Sequence, residues 1–529
     1  MSARQRVVVV TGGGAGIGAA IAQSISRTGA FVVTVDPLLS VDGSTALPAP
    51  AETTADRIVA AGGHARASAL SVTDETGIRA LFTALADEFG ALDAVVNVAG
   101  ISRPTGFATG SDADWRDVLS VHLDGYRNIL GAALPLMAAA GRGHILGVTS
   151  GSGWRAADAG AYGCAKRAVA ALTWQLGRHA PEGVVVNAVS PIAATRMVTE
   201  ALSRAQAANP RATGGLSLAA MPEPEHLGPL GAHLVAEEFT ACRGRVIFAG
   251  GSEVAVIDEP RLIEVVRGDD VPAPLLKAAT TTALVPAEAN QVSGGGSNAR
   301  FGALFDHVEP GEPAATSIRS CALVADDSEV AAALSQALAE RGVTCHPIAG
   351  PSELAEITDL DAVVIAPTGT PAADHGAQWE RILAEHDGIV ERVLADARWP
   401  RAVAELTRGA GHPIRLVTVT NATTAGGRSR AQASAQLARA GRPATGGSVL
   451  AFAVAVEADP DEFRCGPAEF VAHLVCSPDA DKLSGAELAA GAGWFGIRSH
   501  PRPIGSISFG GPALPGWFDD ALGEITQPR

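Results

Sequence analysis

The feature that most constrains the fold is a regular alternation of short β-branched runs with longer alanine-rich segments. The runs are RVVVV (6–10), FVVTVD (31–36), LDAVVNVAG (92–100), GHILGVTS (143–150) and VVVNAVS (184–190). Uninterrupted apolar runs are typical of strands buried on both faces of a sheet, and the segments between them are long enough for helices. The alternation therefore predicts an α/β fold with a doubly wound parallel sheet, which the strand-like segment GRVIFAGG (244–251) is expected to close.

The same alternation begins again in the second half of the chain. Strand-like runs recur at 321–327, 343–348, 360–367 and 414–420. LDAVVNVAG of the first half returns as LDAVVIAPTG, and WRDVLSVHLDG returns as WERILAEHDG. Chance similarity of valine-rich strands is an alternative for the first pair, but duplication explains both pairs.

The length of 529 residues also favours more than one domain, because single cores seldom exceed about 300 residues. We predict two tandem domains, at residues 1–265 and 319–529. The segment between them, 266–318, loses periodicity and collects Pro, Gly, Ser and Thr. It is expected to be a linker or a loose connecting arm.

Composition excludes several classes of partner. The formal charge of −16 gives no attraction to nucleic acid or to an anionic membrane surface. The six cysteines form no CxxC pair or His-spaced cluster, so neither a metal site nor a disulfide framework is expected. No signal-peptide pattern and no run of about 18 apolar residues is found, so we expect a cytoplasmic protein.

A glycine-rich turn, TGGGAGIG, follows the first predicted strand and opens a helix. Glycines at positions 12, 16 and 18 allow a pyrophosphate to approach the free N–H groups of a helix N-terminus. Asp36 ends the second strand, at the interval where a carboxylate binds the adenosine ribose hydroxyls and repels a 2′-phosphate. The pattern favours NAD as cofactor. A tight turn without ligand and a solvated strand-end Asp are the alternatives.

Tyr162 and Lys166 stand out because the chain has only two tyrosines and three lysines. A spacing of four residues places both on one face of a helix. A cation beside a phenol favours the phenolate, so we expect Tyr162 to exchange a proton near neutral pH.

Together, TGGGAGIG, NVAG (97–100), GVTSGSG (147–153) and YxxxK resemble the short-chain dehydrogenase/reductase family over roughly residues 5–262. The resemblance implies that Tyr162 is the catalytic acid/base, that Lys166 also holds the nicotinamide ribose and that Ser150 polarises the reacting oxygen. Ser152 is the alternative to Ser150. His122 stands where the family usually has an asparagine, and either a proton relay or a structural histidine is consistent with that position.

The resemblance also implies a cofactor-binding set along the ends of the strands. Its members are Thr11, Gly12, Gly16, Ile17, Gly18, Asp36, Asn97, Ala99, Gly100, Tyr162, Lys166, Pro191 and Thr195. Two positions depart from the family pattern, Ile192 in place of a glycine and Ser71 in place of an aspartate. Neither departure removes the backbone contacts that bind a dinucleotide.

The sequences of these motifs are most similar to those of (3R)-hydroxyacyl-CoA dehydrogenase domains and of some sterol and terpenol dehydrogenases. The resemblance implies a secondary alcohol or ketone on an apolar body as substrate, with residues 197–221 as a mobile lid. A non-catalytic NAD-binding sensor or scaffold is the alternative function.

The second half lacks the chemistry of the first. ADDSE, with Asp326 and Asp327, replaces the glycine turn, and RAQASAQLAR (430–439) replaces YxxxK. We therefore expect a degenerate Rossmann-type domain without cofactor. The resemblance implies a homo-oligomer, in which this domain takes the place of a partner subunit.

Overall fold

A computed structural model describes residues 4–155, 158–208, 221–268, 271–291, 318–367, 369–409, 411–511 and 513–527. Within these ranges the chain forms two sheets, of nine and eight strands, with helices packed against them. The predicted α/β class and the two tandem doubly wound domains are confirmed. No helix in the described ranges is long and apolar enough to cross a membrane.

The first sheet takes eight strands from the first half of the chain. They are β1 (Val7–Thr11), β2 (Phe31–Val35), β3 (His64–Ser68), β4 (Ala94–Asn97), β5 (Gly143–Val148), β6 (Val184–Pro191), β7 (Val246–Gly250) and β8 (Glu253–Asp258). The seven strands β1 to β7 are parallel and run in the order β7-β6-β5-β4-β1-β2-β3. The order reverses between β1 and β4, so the crevice for a ligand opens at their carboxyl ends.

The remaining strands belong mainly to the second half. They are β9 (Leu262–Arg267), β10 (Ser320–Ala325), β11 (Thr344–Pro347), β12 (Ala362–Ala366), β13 (Ile414–Asn421), β14 (Val449–Glu457), β15 (Glu487–Gly491), β16 (Trp494–Arg498) and β17 (Arg502–Ser508). The second sheet runs β11-β10-β12-β13-β14-β15-β16-β9, which repeats the order β2-β1-β4-β5-β6-β7-β8 of the first. The internal repeat seen in the sequence is therefore a repeat of topology.

Helices connect the strands. They are α1 (Gly16–Ser26), α2 (Thr54–Ala60), α3 (Glu75–Phe89), α4 (Asp112–Leu119), α5 (Gly125–Ala140), α6 (Gly160–His179), α7 (Arg196–Ala208), α8 (Gly228–His233), α9 (Ala273–Ala279), α10 (Val285–Ala289), α11 (Ser328–Ala339), α12 (Gln378–Glu385), α13 (Ile389–Leu406), α14 (Ala425–Thr445), α15 (Pro467–Cys476) and α16 (Phe518–Thr526). Ser120–Asp124 and Thr280–Leu284 are π-helical, and Gly151–Gly153 is a 3₁₀ turn.

The two sheets exchange strands at their edges. β9 leaves the first half and pairs with β16, while β17 leaves the second half and pairs with β8. The two crossing segments hydrogen-bond to each other, because Ser499 N–H donates to the Arg261 carbonyl over 2.7 Å and Arg261 N–H donates to Ser499 Oγ over 3.1 Å. The expectation that β7 closes the first sheet is therefore wrong. The domain boundaries remain a prediction, because strand pairing shows which sheet a strand belongs to but not which residues fold as one unit.

The segment between the halves differs from the expected loose arm. Its described part contains α9, the π-helical turn and α10, and Leu276 and Leu284 are fully buried in the core of the second half. Thr280 Oγ1 lies 2.9 Å from Nε2 of buried His473. The prolines of this segment make it look like a loop in the sequence. They stand in the first turns of α9 and α10, which are positions that suit Pro. Residues 292–317 lie outside the described ranges.

The halves pack together through helices. Helix α6 of the first half lies against α14 of the second, and one apolar cluster contains core residues of both. Arg167 on α6 forms an ion pair with Glu487 on β15, and both side chains are buried. Burial alone raises the pKa of Glu487, but the charge of Arg167 and the contact with His500 lower it to about 2.

This buried pair yields a stability prediction. Glu487→Gln removes the negative charge and leaves the Arg167 guanidinium buried, which is expected to lower the free energy of unfolding by about 3–5 kcal/mol. Glu391→Gln is the matched control, because the Arg116–Glu391 pair also joins the halves but is exposed. Its expected cost is below about 1 kcal/mol. Denaturant unfolding measures both, and equal effects of the two substitutions would contradict the role given to burial.

Candidate active site

The glycine turn between β1 and α1 forms an open cradle. Gly12 has φ +64°, and a Cβ there would lie 2.8 Å from the Ala99 nitrogen. A Cβ at Gly18 would lie 2.1 Å from the Gly12 carbonyl oxygen. At Gly16 a Cβ would meet only one atom of the described residues within 4 Å, Thr195 Cγ2 at 3.7 Å. The turn is therefore packed on the protein side and open towards Thr195, as dinucleotide binding requires.

Hydrogen bonds fix the strand ends beneath this cradle. Thr11 Oγ1 donates to Asn97 Oδ1 over 2.6 Å and accepts from Ala99 N–H over 3.3 Å. These bonds join β1 to β4 at the point where the strand order reverses. Three of the predicted cofactor-binding residues thus stabilise the crevice, with Asn97 and Thr11 buried.

Asp36 lies beside the glycine turn at the end of β2. Its carboxylate accepts hydrogen bonds from Gly14 N–H over 2.9 Å and from Leu38 N–H over 2.8 Å. The side chain is only partly buried, so the carboxylate borders the cradle while remaining accessible. The Asp36 carboxylate is thus held beside the glycine turn, at the end of the second strand, as the sequence predicts.

Ser150, Tyr162 and Lys166 come together at the end of β5 and the start of α6. The Ser150 side chain lies close enough to the Tyr162 phenol to lower its pKa, and Ser150 Oγ accepts from Ser152 N–H over 3.3 Å. Lys166 Nζ lies 5.6 Å from the centre of the Tyr162 ring and donates to the Val148 carbonyl over 2.6 Å. Of the two candidate serines, Ser150 is the one whose side chain acts on the Tyr162 phenol.

The pKa of Tyr162 differs from the sequence expectation. Burial raises it, and this effect exceeds the opposing hydrogen bond of Ser150 and the charge of Arg155. Burial also lowers the pKa of Lys166 to about 7. The expected lowering of the phenol pKa by Lys166 is therefore not found, because desolvation acts on both groups and is invisible in their spacing.

His122 lies in the π-helical turn between α4 and α5, edge-on to the Tyr162 ring at 5.0 Å between centres. Its Nε2 lies 2.7 Å from the Ile101 carbonyl oxygen and 3.3 Å from the Ile101 nitrogen. Nδ1 is buried and has no hydrogen-bond partner among the described residues. Burial, and next the charge of Lys166, hold the pKa well below its usual value. His122 is thus neutral. A Cβ at Gly100 would lie 2.4 Å from its ring.

The end of β6 forms the other wall. Pro191 is its last residue, and Thr195 caps the start of α7 by accepting from Val198 N–H over 3.3 Å. Ile17, on α1, packs against the core below the glycine turn. The first part of the predicted lid forms α7, and positions 209–220 lie outside the described residues.

Two residues near the site carry no motif in the sequence. Arg155 lies in the short segment between Ser150 and Tyr162, and its charge acts on the phenol. Gln436 comes from α14 of the second half and hydrogen-bonds to the same segment. The position of a basic residue so close to the candidate catalytic serine is a usable sequence signal for Arg155. No sequence signal points to Gln436, because its position depends on the packing of the two halves.

The second half offers no equivalent cradle at the end of β10. Asp327 Oδ1 accepts hydrogen bonds from Glu329 N–H over 2.8 Å and Val330 N–H over 3.1 Å. A carboxylate of the chain therefore occupies the N-terminus of α11, where a phosphate would otherwise bind.

The first half is similar to known proteins. A family model described as short chain dehydrogenase matches residues 6–206. A putative short-chain type dehydrogenase/reductase of Mycobacterium tuberculosis is 35% identical over 253 residues, covering 47% of this chain and 84% of the relative. A cis-4-hydroxycyclohexanecarboxylate dehydrogenase of Sinomonas cyclohexanicum is 38% identical over 190 residues, covering 35% and 72%.

Other similarities concern longer proteins or the fold alone. The peroxisomal hydratase-dehydrogenase-epimerase of Neurospora crassa is 32% identical over 252 residues, which cover 47% of this chain but only 26% of that enzyme. The N-domain of a bacterial malonyl-CoA reductase, crystallised with NADP, covers 89% of this chain and 95% of that structure with a TM-score of 0.62. At 18% identity, this likeness shows that the fold is shared across both halves.

The family model and the mycobacterial relative cover the residues that form the cradle and the Ser150–Tyr162–Lys166 group. The chain therefore belongs to the short-chain dehydrogenase/reductase family of oxidoreductases, whose members bind NAD or NADP.

Proposed function

We propose that the first half is an NAD-dependent dehydrogenase that interconverts a secondary alcohol and a ketone on an apolar substrate. The observation that carries this proposal is the placement of Ser150 and Lys166 beside Tyr162, next to an open glycine cradle. A phenol and a hydroxyl at one point are able to bind a substrate oxygen and exchange its proton. The hydroxyacyl, sterol and terpenol classes are the substrates we would test first.

The residues present fit a dinucleotide. Gly12, Gly16 and Gly18 would face its pyrophosphate, Asp36 its adenosine ribose and Lys166 its nicotinamide ribose. The remaining predicted members, Ile17, Asn97, Ala99, Gly100, Pro191 and Thr195, would line the crevice. When bound, NAD supplies the hydride acceptor for alcohol oxidation.

Tyr162 would act as the general base in oxidation. Ser150 donates a hydrogen bond to the substrate oxygen, and Tyr162 removes the hydroxyl proton. Because burial raises the pKa of the phenol, its basic form gains population as pH increases, and alcohol oxidation should be faster at alkaline pH.

Lys166 and His122 would form the route for that proton. Lys166, with a pKa of about 7, exchanges protons readily at neutral pH. His122 is neutral and presents a buried acceptor nitrogen towards the same space. A water held between the two groups would satisfy this nitrogen.

The second half would act as a built-in partner subunit. It covers α6 with α14 and contributes buried hydrogen bonds across the contact, such as Gln175 Nε2 to Ser429 Oγ over 3.1 Å. We further propose a cytoplasmic protein that forms homo-oligomers and binds a small-molecule substrate.

The role of Tyr162 is tested by NADH formation from NAD with 3-hydroxyacyl-CoAs, sterols, terpenols and small secondary alcohols. Tyr162→Phe removes the base and should lower kcat by roughly 10²–10⁴-fold on any substrate that the wild type oxidises. Tyr126→Phe is the matched control, because among the described residues the Tyr126 hydroxyl bonds to Thr173 in the core, at 3.1 Å. This substitution should leave kcat unchanged. NAD binding without turnover of any alcohol would favour a sensor instead.

The glycine cradle is tested by NAD binding. Gly12→Ala places a Cβ against the Ala99 nitrogen, so the loop must shift and the dissociation constant for NAD should rise at least about tenfold. Gly29→Ala is the control, because Gly29 has φ +86° but no atom of the part of the chain that the structure describes would lie within 4 Å of its Cβ. Both variants carry backbone strain, so equal loss of NAD binding would contradict a specific role for the cradle.

Cofactor choice is tested at Asp36. Asp36→Asn keeps an oxygen acceptor for the loop but removes the charge that repels a 2′-phosphate. The ratio of NADP to NAD dissociation constants should fall by roughly tenfold, about 1.4 kcal/mol. Asp56→Asn, a change of the same kind on exposed α2, should leave the ratio unaltered. An unaltered ratio in Asp36→Asn would refute the assignment of NAD preference to this carboxylate.

A further inference from the structure

Gln436 reaches from the second half into the loop that supports the candidate catalytic serine. Its side-chain Nε2 donates hydrogen bonds to the carbonyl of Ser152 over 3.1 Å and to the carbonyl of Arg155 over 3.0 Å. Both amide protons are thus directed at one short segment of the other half. Only 2% of Gln436 is exposed, so water competes little for these bonds.

Two neighbouring residues of α6, Gly163 and Arg167, leave room for this side chain and orient it. Gly163 follows Tyr162 on α6, and a Cβ there would lie 2.9 Å from the Ser152 carbonyl and 3.5 Å from Gln436 Cγ. Arg167 Nη1 approaches Gln436 Oε1 at 3.5 Å, which orients the amide so that its nitrogen faces the loop. The orientation follows because only the oxygen of an amide accepts from a guanidinium.

A continuous set of contacts leads from Gln436 to Tyr162. Gln436 Nε2 donates to the Ser152 carbonyl, the Ser152 N–H donates to Ser150 Oγ, and the Ser150 side chain acts on the Tyr162 phenol. The 3₁₀ turn Gly151–Gly153 closes on the Ser150 carbonyl through Gly153 N–H at 2.9 Å. The position of the Ser150 hydroxyl therefore depends on a turn whose outer side is fixed by the second half.

We infer that Gln436 is a positioning residue through which the second half completes the active site of the first. The inference rests on the proposed function for its catalytic consequence, but its structural part stands independently. It gives the second half, which offers no cradle at β10, a direct role in the chemistry. Loss of such a support costs rate because a small displacement of a catalytic group lowers its efficiency steeply.

The test is Gln436→Met in the full chain, which keeps the volume and removes both donors. Gln432→Met is the matched control, since Gln432 lies one turn earlier on α14 and bonds to Arg167 at 3.0 Å and Glu487 at 3.3 Å, not to the loop. Three quantities are compared in the wild type and both variants: amide hydrogen exchange of residues 150–155, the dissociation constant for NAD, and kcat and KM on an oxidised alcohol.

We expect Gln436→Met to speed exchange in this loop and to lower kcat by roughly tenfold to a hundredfold, with NAD binding and KM nearly unchanged. Gln432→Met should leave loop exchange and kcat at wild-type values. Equal loop exchange in all three proteins, or equal loss of kcat in both variants, would overturn the inference. If the wild type oxidises no alcohol, the proposed function fails, and loop exchange alone decides whether Gln436 positions the turn.

Discussion

The contact of α6 with α14 is the constraint on which the rest of the structure depends. Two consecutive cations on α6 show why, since successive residues of a helix point about 100° apart. Lys166 points into the candidate site and donates to the Val148 carbonyl, whereas Arg167 points to Glu487 of the second half. The same helical turn thus carries a candidate catalytic residue on one side and a residue that joins the halves on the other. Any rotation of α6 that improved one set of contacts would break the other.

The strand exchange strengthens this coupling. β9 and β17 occupy corresponding places at the ends of the two sheets, so each half completes the sheet of the other. Pulling the halves apart would expose the ladder bonds of β8 and β16 as well as the apolar helix faces. Unpaired edges of this kind are costly and prone to aggregation. The fold therefore favours one cooperative unit over two domains that move independently.

Local patterns predicted the parts of the fold that local interactions determine. The predicted strands end within a few residues of β1, β2, β4, β5 and β6, and the glycine turn and the Tyr162 helix lie where the motifs indicate. Non-local features had no such signal. The exchange of β9 and β17 depends on pairing partners more than 200 residues away in sequence, and the raised pKa of Tyr162 depends on burial. β3 was missed because its five residues, HARAS, are mostly polar or small and largely exposed.

Helix α14 of the second half packs against α6 but does not repeat the candidate catalytic group that α6 carries. Gly427 is the third residue of α14, as Tyr162 is of α6, and a Cβ there would lie 2.3 Å from the Asn421 carbonyl. Nearby, His386 Nε2 meets Ser429 Oγ at 2.8 Å, and both side chains are fully buried. A side chain at Gly427 would therefore collide with the Asn421 backbone, so this position of α14 has no room for a tyrosine. Helix α14 instead carries amide side chains such as Gln436 on the face that meets α6, where Gln436 bonds to the loop of the first half.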